Sequence, residues 1–116
     1  MSSFLVILND PPYGTELCYN ALRLANALSK REGTEVRVFL FGDAAACAKS
    51  GQIVPTGFYN LETMLRSVAR RASVAACGTC MDARGIGQAD LTEGVSRGTL
   101  DQLADWTEWA DKIAVF

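Results

Sequence analysis

The chain reads as an α/β protein, a three-layer α/β/α sandwich around a mainly parallel sheet, and three observations predict this. Short apolar runs at Phe4–Leu8, Val36–Phe41 and Ser73–Ala76 lack the polar alternation of a half-exposed strand, as expected when both faces of a sheet are covered. Between them lie segments whose apolar residues recur at helical spacing. Each early strand is followed by turn residues and then a helix, the order that makes a crossover joining parallel neighbours.

Phe4-Leu5-Val6-Ile7-Leu8 is too short for a helix and ends at Asn9-Asp10-Pro11-Pro12-Tyr13-Gly14, a turn-rich loop. Thr15 is placed to cap the first helix, on which Leu17, Ala21, Leu24, Ala25 and Leu28 form a stripe. Gly33 is its stop signal. The second strand follows, giving a right-handed βαβ unit, and ends at Gly42. Asp43 is placed to cap a short helix through Lys49. Ser50–Tyr59, with Gly51, Pro55 and Gly57, reads as a mobile loop.

On the next helix Leu61, Met64, Leu65, Val68, Ala69 and Ala72 share one face, with Glu62, Thr63, Arg66 and Arg70 opposite. The third strand then runs into Cys77. Gly85 to Gly98 reads as irregular, and Thr99-Leu100-Asp101-Gln102 has the spacing of a capping box opening a last helix before a final strand at Lys112–Phe116. The core stripe expected on that helix is Leu100, Leu103, Ala104, Thr107 and Ala110. Trp106 falls at its edge and Trp109 round the far side, either a surface aromatic or one packed on another subunit. No linker or repeat divides residues 1–116, so one domain is expected.

Composition narrows the function. A net charge of −2, with eleven basic residues scattered singly or in pairs, gives no patch for nucleic acid or an anionic membrane. No apolar run is long enough to span a bilayer and no secretory signal is evident, so a cytoplasmic protein with reduced thiols is expected. The chain contains no histidine, which excludes Ser/His and Cys/His nucleophile pairs and imidazole proton shuttles.

The chemistry therefore falls to Cys77-Gly78-Thr79-Cys80-Met81-Asp82-Ala83-Arg84-Gly85, at the carboxyl end of a strand, where ligands collect in open α/β sheets. A thiolate needs a cation or N–H donors beside it, and Arg84 is the expected cation, while Asp82 would oppose the charge or pair with Arg84. The same sheet edge should carry Asn9, Tyr13, Gly14 and Glu16, candidate walls of a substrate pocket, with Gly42-Asp43 beside them. Cys18 and Cys47 lie beside core stripes and read as core fillers. Three uses of Cys77 and Cys80 compete: a dithiol redox pair, a zinc site, and a nucleophilic Cys77 that accepts sulfane sulfur with Cys80 able to resolve it. Zinc would have to recruit Cys18 and Cys47 from separate helices. The redox pair normally opens a helix directly after the strand, whereas glycine follows closely here. No metal or cofactor is expected, and a binding module with incidental cysteines is the alternative from another class.

The chain resembles the DsrE/DsrF-like family of small sulfur-relay proteins, particularly its YchN-like branch. The resemblance rests on Asn9-Asp10-Pro11-Pro12-Tyr13-Gly14-Thr15-Glu16, Ala21–Ala25, Gly51-Gln52, Gly57-Phe58-Tyr59-Asn60, Cys77–Ile86 and Gly98-Thr99-Leu100. It implies an α/β/α fold, trimer-based homo-oligomers such as hexamers, and a reactive cysteine near a subunit interface, which Cys77 matches. In the relay members that cysteine carries a persulfide between donor and acceptor proteins. Cys80 matches the second cysteine of the YchN-like pattern, which the heteromeric relay proteins do not generally share.

Overall fold

A computed structural model describes residues 1–116. Five strands form one sheet in the order β4-β3-β2-β1-β5, every neighbouring pair parallel: β1 (Ser2–Leu8), β2 (Thr34–Leu40), β3 (Ser73–Cys77), β4 (Val95–Gly98) and β5 (Lys112–Val115). Helices α1 (Leu17–Ser29) and α2 (Leu61–Ala69), with a 3₁₀ helix at Gly42–Ala48, cover one face; α4 (Leu100–Trp109) covers the other. Between β3 and β4 lies a short α3 (Gly78–Asp82). This is the three-layer α/β/α sandwich expected. No helix is long and apolar enough to cross a membrane.

The central strands are apolar on both sides because each side has its own cluster. Val6, Leu8, Val38, Leu40, Val74 and Ala76 point to α1 and α2 within a core of 21 buried residues. The alternate positions Leu5, Phe39, Ala75 and Cys77 join Leu103 and Trp106 of α4 in a cluster of six. Gly98 permits this second packing: a β-carbon there would meet Ala75 and Phe39 at 3.1 and 3.2 Å.

Several local expectations are corrected. Residues 85–98 are not wholly irregular, because Val95–Gly98 pairs with Val74–Cys77 as an edge strand; with only one apolar residue of its own, it is defined by its partner. Thr15 precedes the first helix, but Glu16 is the N-cap residue and gives no side-chain cap. Asp43 lies inside the 3₁₀ helix, whose N-cap residue is Phe41. On α4 the buried stripe is rotated to Leu103 and Trp106, leaving Leu100, Ala104 and Thr107 exposed. The indole wins because its ring buries more area than an alanine and a threonine, and it meets Phe39 edge-on at 6.1 Å. Trp109 is half-buried, capped by the Arg37 guanidinium 3.8 Å from its ring centroid.

Glu62 is also displaced from its expected place on a solvated face. It is buried, and its carboxylate accepts hydrogen bonds from the Gly51 and Gln52 N–H groups and from the Thr92 hydroxyl, each at 3.0 Å. Burial raises its pKa, but these donors and Arg66 outweigh that and hold it below the ordinary glutamate value. The segment expected to be mobile is thus tied down at its start. At its end, Asn60 caps α2 by accepting from the Thr63 N–H.

Candidate functional site

Cys77 is the last residue of β3 and the N-cap of α3, so strand and helix fix its direction from both sides. Strand alternation turns it towards α4, where it is only 3% exposed. Its sulfur lies 3.3 Å from the Thr79 hydroxyl and accepts from the Cys80 N–H at 3.4 Å. Burial pushes the Cys77 thiol up, but hydrogen bonds from the Cys80 thiol, the Thr79 hydroxyl and the N–H groups of both residues outweigh it. The net direction is below an ordinary cysteine.

Cys80 lies within one turn and behaves oppositely. Burial and the neighbouring Cys77 push its pKa up, against the pull of the Gly42 N–H and the Arg84 charge. The Gly42 N–H donates to the Cys80 sulfur at 3.2 Å, and Gly42 holds φ at +58°, a left-handed turn that costs glycine little. The arrangement shifts the two thiols in opposite directions, Cys77 towards the thiolate and Cys80 towards the thiol.

Two ion pairs flank them. Arg84 donates to Asp43 at 2.6 Å and to the Cys80 carbonyl at 2.9 Å, so it pairs with neither Asp82 nor Cys77. Asp82 instead accepts a bidentate pair of hydrogen bonds from Arg97, both at 2.9 Å. Arg97 lies against Gly78, where a β-carbon would come within 2.7 Å of its Nε and 2.8 Å of its Cζ. The Asp82 hydrogen bond is the main cause raising the Arg97 pKa, and the negative charge of Cys77 adds to it. Arg97, in register with Ala76, wraps onto the Gly78 backbone, and its charge is the one that couples to Cys77; sequence reasoning missed it because it sits on the strand whose pattern is too polar to read.

The expected pocket edge is brought together only in part. Gly42 and Asp43 reach Cys80 and Arg84. Asn9 lies beside the Gly42 turn, its Nδ2 donating to the Phe116 carbonyl at 3.3 Å. Tyr13 turns away: its hydroxyl donates to Gln52 at 2.6 Å and accepts from the Leu61 N–H, while its ring stacks on Tyr59. Gly14 makes the loop turn at φ +103°, and Glu16 is exposed at the start of α1. Cys18 and Cys47 sit fully buried in the α1 face. The Cys18 thiol donates to the Asp10 carbonyl at 3.0 Å; the closeness of the two sulfurs pushes the Cys47 thiol up, with burial adding to it, and pulls Cys18 down.

Comparison with known proteins agrees with this architecture. YchN of Escherichia coli is 42% identical, with both chains covered in full, and its crystal structure superposes with a TM-score of 0.92. MK0008 of Methanopyrus kandleri is 36% identical over 96% of this chain and 91% of its own. MTH1491 of Methanobacterium thermoautotrophicum, at 12% identity with a TM-score of 0.72 over 98% of this chain and 99% of its own, shares the fold. The sequence profile of the DsrE/DsrF-like family matches residues 2–116, and the chain belongs to that family.

Proposed function

We propose that the protein handles sulfane sulfur, with Cys77 accepting it as a persulfide and passing it on, in the manner of a carrier more than a turnover enzyme. The observation that carries this reading is the asymmetry of the thiols: Cys77 is surrounded by donors that favour its anion, while Cys80 keeps its proton. In the loading step the Cys77 thiolate attacks the outer sulfur of a donor R–S–SH. A Cys77–sulfur bond forms, the donor S–S bond breaks, and R–S⁻ leaves with the electron pair. A protein acceptor can repeat that attack on the outer sulfur. Alternatively Cys80 attacks the Cys77 sulfur, forming a disulfide and expelling HS⁻, to which its proton passes.

Mass spectrometry after exposure to a persulfide donor, with alkylation to trap products, tests this. One sulfur atom, a gain of about 32 Da, is expected on Cys77. It should be lost in Cys77→Ser and kept in Cys18→Ser, and persistent loading of Cys77→Ser overturns the assignment.

A second reading, a Cys77/Cys80 redox switch, is favoured by α3. The helix opens at Gly78 directly after β3, as such a pair requires, and the expected break follows after five residues, with Gly85 at φ +66°. Thiol counts across a redox titration would reject it if the pair stayed reduced throughout.

Self-association through the α4 side fits either reading. Ile113 and Val115 lie opposite Leu5 and Ile7 in the sheet and are exposed, as is Leu100 of α4. A second copy of the chain would cover them, and a cytoplasmic setting would keep the thiols reduced. Sedimentation of the intact chain at two concentrations checks the association.

A further inference from the structure

The thiol site has a second chemical requirement besides a nucleophile. A sulfur donor brings negative charge, either on its substituent or on the thiolate that leaves, and places it near the Cys77 anion. Those charges repel unless a cation lies between or beside them. Arg84 is committed elsewhere, to Asp43 and to the Cys80 carbonyl.

Arg97 extends from β4 past the end of β3, its guanidinium lying on the bare backbone of Gly78, the residue that follows Cys77. Asp82 grips it with two parallel hydrogen bonds of 2.9 Å. Both partners are solvent-accessible, so an incoming anion can compete with the carboxylate for the same planar fork.

Resting on the sulfur-handling reading, we propose that Arg97 is the anion-receiving specificity residue of Cys77. It selects electrophiles that carry negative charge beside the reacting atom, and Asp82 holds it in place while attenuating that selection. During transfer the Cys77–sulfur bond forms as the donor S–S bond breaks, and the leaving thiolate carries its electron pair away beside the guanidinium. Asp82 and Arg97 thus form a gate whose setting is a matter of charge.

The test is the ratio of alkylation rates at Cys77 with iodoacetate and iodoacetamide, which differ in the charge beside the reactive carbon. The readout is tandem mass spectrometry of the peptide containing Cys77, from the full-length chain. Dividing the rates cancels any change in thiolate population. Arg97→Gln is expected to lower the ratio about threefold, and Asp82→Asn to raise it by a similar factor. Arg70→Gln, which removes an equal charge from the exposed residue just past the end of α2, should leave it unchanged. If Arg97→Gln proves poorly folded, Asp82→Asn still decides through the opposite direction. A ratio unmoved by both variants overturns the proposal, as does an equal fall with Arg70→Gln. Persulfide loading is measured separately, so a chain that loads sulfur without charge selection defeats the role of Arg97 alone. One that shows the selection but never loads defeats the carrier reading.

Discussion

The two faces of the sheet are built to different standards. On the α1 and α2 side, two helices and the 3₁₀ segment bury a thick cluster of aliphatic residues, with Cys18 and Cys47 as buried filler. On the other side one helix of ten residues covers a sheet five strands wide. A helix is about 10 Å across and strands are spaced about 4.8 Å apart, so α4 shields roughly two strands. Cys77 belongs to the thin face, and Ile113 and Val115 lie uncovered on it. The thick face holds most of the buried apolar core, while the thin face carries Cys77 and leaves apolar surface exposed.

The largest effect that would break this contrast is a cavity in each face. Leu65→Ala, fully buried on the inner face of α2, should cost about 4 kcal/mol, and Leu103→Ala, at the margin of the α4 cluster, about 2 kcal/mol. Urea denaturation compares them directly, and equal losses would mean that α4 anchors the sheet as firmly as α1 and α2.

Glu62 sharpens the comparison by giving the thick face a pH dependence. Glu62→Ala strands three donors and should cost about 2–3 kcal/mol at neutral pH. Because the folded pKa is depressed, this contribution is present above the unfolded value of about 4.3 and is lost as pH falls through the folded one. The gap between variant and native chain in urea midpoint should narrow on moving from pH 7 to pH 3. A gap that stays constant or widens would show that the carboxylate form is not what matters.

Smallest in stability, and confined to the thin face, is Thr79→Ala. Its side chain is exposed, so the change should shift stability by less than about 0.5 kcal/mol. The Cys77 thiol loses a donor and its pKa rises. The pH profile of iodoacetamide labelling at Cys77 should move to higher pH, and an unmoved profile would assign the depression to the backbone donors alone.

Strands β1, β2, β3 and β5 and helices α1, α2 and α4 were legible because each carries its own apolar run or stripe. Strand β4 was not: Val95-Ser96-Arg97-Gly98 has one apolar side chain, and its strand geometry is imposed by pairing with β3. Helix α3, at five residues, is too short for periodicity to register. The candidate site divides the same way. Cys77 and Cys80 stood out by residue type and position, but Arg97 lies 20 residues beyond Cys77 on the unread strand, so Arg84 was the only nearby cation to propose. Tyr13 and Glu62 were misplaced for a related reason. Their hydrogen bonds to Gln52, Gly51 and Thr92 depend on loops meeting in space, which no local spacing records.

Gly78 occupies the first position of a helix with ordinary backbone angles, where alanine would be the better helix former by up to about 1 kcal/mol. The three atoms nearest to an added methyl all belong to the Arg97 side chain, which can swing aside. Under selection for thermal stability alone, Gly78 would drift to alanine and uncouple Arg97 from Cys77 with the fold intact.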